Sequence, residues 1–271
     1  MNEQTDLEIK LEALDKLKKQ TIFGNVLKII EIVLVAIFGI AIVFLEVLIF
    51  INVYNDGCSG SGSGSGLNPS IYYSPSADKP VIYLYPEEET GVHVNLTLEE
   101  AEMLAMWPEA GEVNDKTYSW DVTADENGRI VGDDGNEYSY LFWEATGYGD
   151  GDFSQGFCVK GSETGEFLRS TLSEIGLTPE EYNEFIVYWL PKMQNNEYNI
   201  IRFDGLDKDD IYNQKYALNV TDENGNSADS VLRVLMVYEA SDEYVEMEPQ
   251  TFETFERNGF TVVEWGGTEL K

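Results

Sequence analysis

Histidine and cysteine are the residues that this chain has least of, since its 271 residues include one histidine and two cysteines. A zinc site built from imidazole and thiolate needs three or four such ligands, so the composition excludes one. Cys58 and Cys158 lie a hundred residues apart and do not make a disulfide framework. His93 alternates with Asn95 on the polar side of a strand pattern, which favours an exposed residue over a catalytic base. We therefore expect no metal and no cofactor.

Basic residues are also scarce, with 17 lysines and arginines against 50 acids and a formal net charge of −33. Residues 1–28 are neutral, and from residue 55 onward 43 acids face 12 bases, a net charge of −31. Such a field repels nucleic acid and anionic lipid and favours cations or basic partners. The simpler interpretation is that the charge keeps an exposed surface soluble. Either way, we expect no nucleic-acid partner.

Charge is nearly absent from residues 29–54, an apolar run long enough to cross a bilayer as one helix. Lys16, Lys18, Lys19 and Lys28 precede the run, and residues 55–75 contain no lysine or arginine. The positive-inside rule then predicts a cytoplasmic N-terminus and an extracellular C-terminal domain. A cleaved signal peptide would have an apolar core of only about 7–15 residues. We expect a single-pass signal-anchor in the cell membrane, with the lipid bilayer as a partner.

Glu46 lies deep within this apolar run, whereas Glu31 lies near its inner end. A carboxyl at that depth is costly unless it is protonated or paired, so a contact with another membrane helix is one interpretation. A neutral, protonated side chain without a partner is the other. The preceding segment, residues 1–28, places Leu7, Leu11 and Leu14 at helical spacing and predicts a short amphipathic helix.

Residues 55–77 are predicted to be a flexible tether, because 57–66 consist almost entirely of glycine and serine. This segment also resembles an engineered linker. Residues 78–271 form the predicted outer domain. Nine runs of β-branched and aromatic residues there are bounded by Gly, Pro, Asn or Asp, and they lie at 81–85, 92–96, 118–122, 138–143, 156–160, 198–203, 216–220, 231–238 and 260–265. Runs of this kind predict strands.

Two helices are predicted between these strands. Apolar residues at helical spacing, including Phe167, Leu168 and Leu172, indicate one helix that ends at Gly176. Thr178, Pro179 and Glu181 then supply an N-cap, a first-turn proline and a capping-box glutamate for a second helix. The expected fold class is α+β, a β-rich extracytoplasmic domain with a helical hairpin, preceded by one transmembrane helix.

Loops rich in Asp, Asn and Gly resemble cation-binding loops, but none has a glycine at position six followed by a glutamate at position twelve. We interpret Asn127-Gly128 and Asn224-Gly225 as hairpin turns, in which both central residues take positive φ.

The candidate chemical residues are two Glu–Trp pairs, Trp143-Glu144 and Glu264-Trp265, each at the end of a predicted strand. Two carboxylates beside aromatic rings suit glycoside hydrolysis, with Glu144 and Glu264 as the catalytic pair. Trp143 and Trp265 alone would suit a ligand-binding cleft, and packing in the core is the remaining interpretation. No nucleotide fingerprint, phosphate loop or nucleophile elbow is present.

Four segments of the chain carry a family resemblance. They are Lys-Pro-Val-Ile-Tyr-Leu-Tyr-Pro at 79–86, Tyr-Leu-Phe-Trp-Glu at 140–144, Tyr-Trp-Leu-Pro at 188–191 and Gly-Phe-Thr-Val-Val-Glu-Trp-Gly-Gly at 259–267. Together they resemble an uncharacterised extracytoplasmic domain family of bacterial envelope proteins and some fungal proteins. The resemblance spans most of residues 79–267. It implies a location outside the cytoplasm and brings no catalytic residue with it.

Three functions fit these observations. The leading prediction is a membrane-tethered extracytoplasmic module that binds a ligand or assembles the envelope without catalysis, with a cell-envelope protein or a glycan as its partner. The first alternative is a cell-surface glycan hydrolase that uses Glu144 and Glu264. The second is a subunit of a membrane complex that packs through its single span, with Glu46 as a contact.

Overall fold

The computed structural model describes residues 76–148 and 151–270. The predicted cytoplasmic segment, the transmembrane helix with Glu46 and nearly all of the tether lie outside the described residues. Within the described ranges, no helix is both long enough and apolar enough to cross a membrane.

The described part of the chain is rich in strands and contains few helices, as the sequence predicts. Its strands are β1 (Asp78–Tyr85), β2 (Thr90–Leu98), β3 (Met103–Trp107), β4 (Glu112–Asn114), β5 (Thr117–Ala124), β6 (Ile130–Gly132), β7 (Glu137–Tyr138), β8 (Leu141–Ala145), β9 (Phe157–Lys160), β10 (Tyr198–Asp204), β11 (Tyr216–Asp222), β12 (Ser230–Ser241) and β13 (Thr261–Leu270). Its α-helices are α1 (Thr164–Ile175), α2 (Pro179–Met193) and α3 (Ile211–Lys215). A 3-10 turn, Gly161–Glu163, precedes α1.

The strands form two sheets. The central sheet has seven strands in the order β3-β8-β1-β13-β12-β10-β9, and the outer sheet has the order β11-β2-β5-β6-β7, with β4 paired to β5. β12 and β13 run parallel, and the other paired strands run antiparallel. All nine predicted strand regions contain a strand. The run at 138–143 is divided, however, because Tyr138 ends β7 in the outer sheet and Leu141 begins β8 in the central sheet.

Two hydrophobic cores lie on the two faces of the central sheet. The inner core fills the space between the sheets. The outer sheet contributes alternate residues of its strands to this core, such as Val92, Val94 and Leu96 of β2. The helix-side core lies on the other face, where Leu168 of α1 and Phe185 of α2 pack against it. The domain therefore has three layers, a helical hairpin on a seven-stranded sheet on a six-stranded sheet.

The hairpin forms where local sequence signals begin and end its helices. Gly176 takes φ 126° at the end of α1. Thr178 Oγ1 accepts a hydrogen bond from Glu181 N at 3.4 Å, and Glu181 Oε2 accepts one from Thr178 N at 2.8 Å. This is the predicted capping box, and it starts α2 with Pro179 in its first turn. The predicted helical hairpin is confirmed.

Two glycines of β13 allow close packing, Gly267 against the helical hairpin and Gly266 against the neighbouring strand β1. A Cβ atom on Gly267 would stand 2.5 Å from Cζ2 of the Trp189 indole, and one on Gly266 would stand 3.0 Å from Pro80. The indole of α2 therefore lies directly on the backbone of the strand, which any larger residue at Gly267 would prevent.

The helical hairpin covers only part of the central sheet. The strand residues buried in the helix-side core belong to β1, β10, β12 and β13, whereas β8 adds only the partly buried Phe142. β3 and β8 form the far edge of the sheet, beside α2. This uncovered edge is where a groove opens.

Both predicted turns are present, but they differ from the expected type, because only the glycine of each Asn-Gly pair takes positive φ and neither asparagine does. Gly128 has φ 80° and Gly225 has φ 81°. Asp125 Oδ1 accepts hydrogen bonds from the backbone N–H groups of Asn127 and Arg129, at 2.9 and 3.1 Å. Its carboxylate thus stabilises the turn itself.

Candidate functional site

Glu264, one of the two proposed catalytic carboxylates, lies in the inner core with no solvent exposure. Its Oε1 accepts a hydrogen bond from Trp143 Nε1 at 2.9 Å, and its Oε2 accepts one from Tyr212 OH at 3.0 Å. Arg233 Nε donates to Oε2 at 2.5 Å and forms a buried ion pair. All of these partners are protein groups, so Glu264 closes a structural network and has no access to a substrate.

Glu144 lies on the opposite face of the same sheet. Side chains alternate along a strand, so Trp143 of β8 enters the inner core while its neighbours Phe142 and Glu144 face the helix side. One carboxyl is thus between the two sheets, and the other is beside α2. The two glutamates cannot flank one glycosidic bond, which corrects the predicted catalytic pair.

The proposed ligand-binding tryptophans, Trp143 and Trp265, both have 0 % exposure. Trp143 contacts Tyr216 in the inner core, with ring centroids 5.2 Å apart. Trp265 meets Phe185 edge-on in the helix-side core, at 5.3 Å. Neither indole offers a face to a ligand, so the sequence-based choice of these two tryptophans is wrong and the packing interpretation applies.

Trp107 is the tryptophan that the structure exposes. All five tryptophans lie within the described residues, and Trp107 is 62 % exposed whereas Trp120 is 2 % exposed and the other three are fully buried. It ends β3 at the edge of the central sheet and meets the ring of Tyr138 edge-on at 6.3 Å. Tryptophan is enriched among the residues that contribute most of the binding energy at interfaces.

An open groove of about 310 Å³ lies beside Trp107, at the uncovered edge of the sheet. We call it the aromatic groove, and its lining residues are Lys79, Trp107, Tyr140, Phe142, Glu144 and Tyr188. They come from the start of β1, the end of β3, strand β8 with the residue before it, and helix α2. Four aromatic rings thus surround one ammonium group and one carboxyl group. On the α2 side, a hollow of about 450 Å³ continues the groove over Asn183 and Val187.

Lys79 reaches the groove through an irregularity in β1. The register between β1 and β13 shifts between Asp78 and Val81, and Lys79 has φ 52°. A left-handed conformation is costly for a residue with a side chain, and bulges often redirect side chains near binding sites. The Lys79 ammonium consequently lies 5.3 Å from the centroid of Tyr140 and 5.6 Å from that of Tyr188. It also lies 5.3 Å from the ring of Trp265.

Glu144 holds this bulge from the other side. Its Oε1 accepts a hydrogen bond from Lys79 N at 3.3 Å. Partial burial raises the pKa of the Glu144 carboxyl, and the charge of Asp78 raises it further. The Lys79 N–H and the ammonium groups of Lys192 and Lys79 oppose that shift. A carboxyl with a raised pKa takes up its proton at a higher pH than an exposed glutamate does.

A second cation flanks the same ring of α2. Lys192 Nζ lies 4.0 Å from the centroid of Tyr188 and 4.5 Å from that of Trp189. Among the described residues, Lys79 and Lys192 rest on aromatic faces and form no ion pair. The groove can therefore offer N–H donors together with flat apolar surfaces. Residues 76–148 and 151–270 contain no group of three His, Cys, Asp or Glu side chains placed to hold a metal ion.

The sequence interpretation missed Trp107 because residues 103–107, Met-Leu-Ala-Met-Trp, contain no β-branched residue and were not predicted to form a strand. One signal was available. Trp107 directly precedes Pro108, and a proline is expected at the end of a strand, so the tryptophan had to lie at a boundary.

The fold and the groove define a class, a two-sheet α+β domain with an open aromatic groove at the edge of its central sheet. One similar protein comes from Butyrivibrio fibrisolvens and is described as "Uncharacterized protein in bglA 3'region". The two are 38 % identical over 89 residues, which are 32 % of this chain and 78 % of that protein. The chain belongs to the same family as that protein. No family model matches the chain, and no solved structure matches it.

Proposed function

We propose that this protein is a membrane-tethered extracytoplasmic binding module that holds an uncharged glycan in the aromatic groove and has no catalytic role. The observation that carries the proposal is Trp107, the exposed indole among five tryptophans, at the mouth of a groove lined by three further aromatic rings. Exposing an indole to water costs hydrophobic free energy, which a bound ligand would restore.

A sugar matches the chemistry of the groove better than a purely apolar ligand does. A sugar ring whose hydroxyl groups are equatorial has faces of C–H bonds that stack on aromatic rings, and a rim of hydroxyl groups. Trp107 offers a flat exposed face, while Lys79 and Glu144 offer a donor and an acceptor for the rim. The net charge of −31 beyond residue 55 disfavours polyanionic chains.

The tether completes the proposal. The apolar run at 29–54, with lysines before it and none in the following 21 residues, supports a cell-membrane anchor with the large domain outside. The glycine- and serine-rich segment would let that domain sample the envelope near the membrane. Glu46 would contact a membrane partner, so a role as a subunit of a membrane complex is compatible with glycan binding.

Binding to insoluble glycans tests the proposal. We expect the full chain, reconstituted in lipid nanodiscs, to sediment with cellulose or chitin, and Trp107→Ala to lose most of that binding because it removes the stacking face. Nanodiscs are preferable to sugar-headed detergents, which would compete. Tyr244→Ala is the matched control, because Tyr244 is 63 % exposed but does not line the groove. If Trp107→Ala sedimented with the insoluble glycans as fully as Tyr244→Ala does, the proposal would be overturned.

Glycan hydrolysis is the second candidate, and Glu144 is the observation that favours it. A carboxyl with a raised pKa inside an aromatic groove resembles a general acid. Release of reducing ends by the wild-type chain, abolished in Glu144→Gln without a change in glycan binding, would establish this function. Binding without any such release would favour the module.

A further inference from the structure

A second hollow lies on the other side of Trp107. It has a volume of about 310 Å³, and its lining includes Trp107, Pro108, Gly111, Asp133, Asp134 and Tyr138. Trp107 lines both this second hollow and the aromatic groove. Its indole is therefore the shared wall of two openings, and the second hollow differs from the aromatic groove in containing the carboxyl groups of Asp133 and Asp134.

The polar groups of the second hollow are held in place by their own hydrogen bonds. Asp134 Oδ2 accepts hydrogen bonds from Tyr138 OH at 2.6 Å and from Asn136 Nδ2 at 2.7 Å. The hydrogen bond from Tyr138 is the main reason why the pKa of Asp134 is lowered, so this group stays a carboxylate. Carboxylates accept hydrogen bonds from hydroxyl groups and repel anions.

The size of each opening limits what it can hold alone. Sites for small ligands usually measure about 300–1,000 Å³, so each opening is at the lower end of that range. An oligomer lying across Trp107 would use both openings and would stack on the indole between them. A ligand confined to one opening would contact only the part of the indole that lines that opening.

We infer that the aromatic groove and the second hollow hold consecutive units of one extended, uncharged glycan chain that crosses Trp107. The inference rests on the proposed function and adds the length and the charge of the ligand. Linked units that bind neighbouring sites gain affinity, because the second contact becomes intramolecular. Affinity therefore rises with chain length until both openings are filled.

Gly111 offers a way to block the second hollow without disturbing the fold. A Cβ atom there would meet Asp133 Oδ2 at 3.8 Å and Ser119 O at 3.9 Å, which are ordinary contact distances. Gly111→Leu should therefore fill the hollow. Gly151→Leu is the matched control, because a Cβ atom on Gly151 meets only Leu270 Cδ1, at 3.9 Å, and Gly151 lines neither opening.

The test is calorimetric titration of the full chain in nanodiscs with cello- and chito-oligosaccharides of increasing length, from disaccharide to hexasaccharide. We expect the affinity of the wild-type chain for at least one series to rise by about tenfold or more with length. Gly111→Leu should abolish that rise and leave the affinity for the disaccharide unchanged, while Gly151→Leu should preserve both. Oligogalacturonides of the same lengths should bind more weakly.

Three results would overturn the inference while leaving the proposed function intact. These are binding that does not depend on length, a rise with length that survives in Gly111→Leu, and oligogalacturonides that bind as tightly as neutral chains. Absence of binding to every oligosaccharide and to the insoluble polymers would overturn the proposed function, and the inference with it.

Discussion

Glu144 is a carboxyl whose protonation is coupled to folding. Burial raises its pKa in the folded domain above the ordinary value of 4.5. The folded state therefore binds the proton more tightly than the unfolded chain does. The resulting stabilisation is complete below the unfolded pKa and is lost as the pH rises through the folded pKa.

The variant Glu144→Gln removes this pH dependence, because the amide stays neutral and keeps an acceptor for Lys79 N. We expect the melting temperature of the variant, relative to that of the wild-type protein, to increase as the pH is raised from about 4 through the pKa of the folded carboxyl. Thermal unfolding at a series of pH values measures the difference. Glu253→Gln, at an exposed position, is the control. If the melting temperature of Glu144→Gln instead increased relative to the wild-type protein as the pH falls, the predicted direction of the pH dependence would be wrong.

The charge of Glu264 is expected to stabilise the fold, because it is paired inside the core. Glu264→Gln leaves the Arg233 guanidinium, 6 % exposed, without a counter-charge. Removing one partner of a buried ion pair costs about 3–5 kcal/mol. We expect urea unfolding to show a loss of that order. The comparison variant is Glu163→Gln, whose exposed pair with Lys160 spans 4.0 Å and contributes less than about 1 kcal/mol. Similar losses in both variants would contradict the structural role.

Residue type and local pattern selected two tryptophans that the structure buries, Trp143 and Trp265. Trp143 and Trp265 were chosen because each adjoins a glutamate, but adjacent residues of a strand face opposite sides of a sheet. Which side is buried depends on layers that come from distant parts of the chain. Trp107 escaped notice because its exposure results from where the helical hairpin stops, a property that no window around residue 107 contains.

Among the elements, the helical hairpin was the most predictable, because its signals are local. Thr178, Pro179 and Glu181 form the capping box that their spacing predicts. Most of the strands were also found, since β-branched and aromatic runs favour them, but β3, β4 and β6 were not. Their assignment to sheets was not predictable, as the run at 138–143 shows, because strand pairing is decided by partners more than a hundred residues away, such as β13 beside β1.

The contact between α2 and β13 supplies a test at this scale. Gly267→Ala would bring a methyl group to 2.5 Å from Trp189 Cζ2 and 3.0 Å from Met236 O, so the indole or the strand must move. Overpacking of this kind costs about 1–3 kcal/mol. We expect a lower melting temperature, with near-UV circular dichroism reporting the displaced indole. Gly151→Ala introduces only a 3.9 Å contact and should change neither signal. An unchanged Gly267→Ala protein would show that the hairpin does not depend on this contact.

For the whole molecule, the predicted topology is open to direct measurement. Because the lysines precede the apolar run and none follow within 21 residues, protease added to intact cells should digest the domain beyond residue 54 and spare residues 1–28. Epitope tags at the two ends of the chain would report digestion of the large domain and protection of residues 1–28 separately, with permeabilised cells as the control. Protection of the large domain in intact cells would reverse the orientation.

Acrylamide quenching of tryptophan fluorescence tests the binding surface most directly, because Trp107 is 62 % exposed and the other four tryptophans are at most 2 % exposed. We expect the accessible fraction of the emission to disappear in Trp107→Phe. In the wild-type protein, a glycan that binds, such as cellohexaose or chitohexaose, should shield that same fraction from acrylamide. A glycan that binds by calorimetry and leaves the quenching of Trp107 unchanged would contradict the aromatic groove as the ligand site.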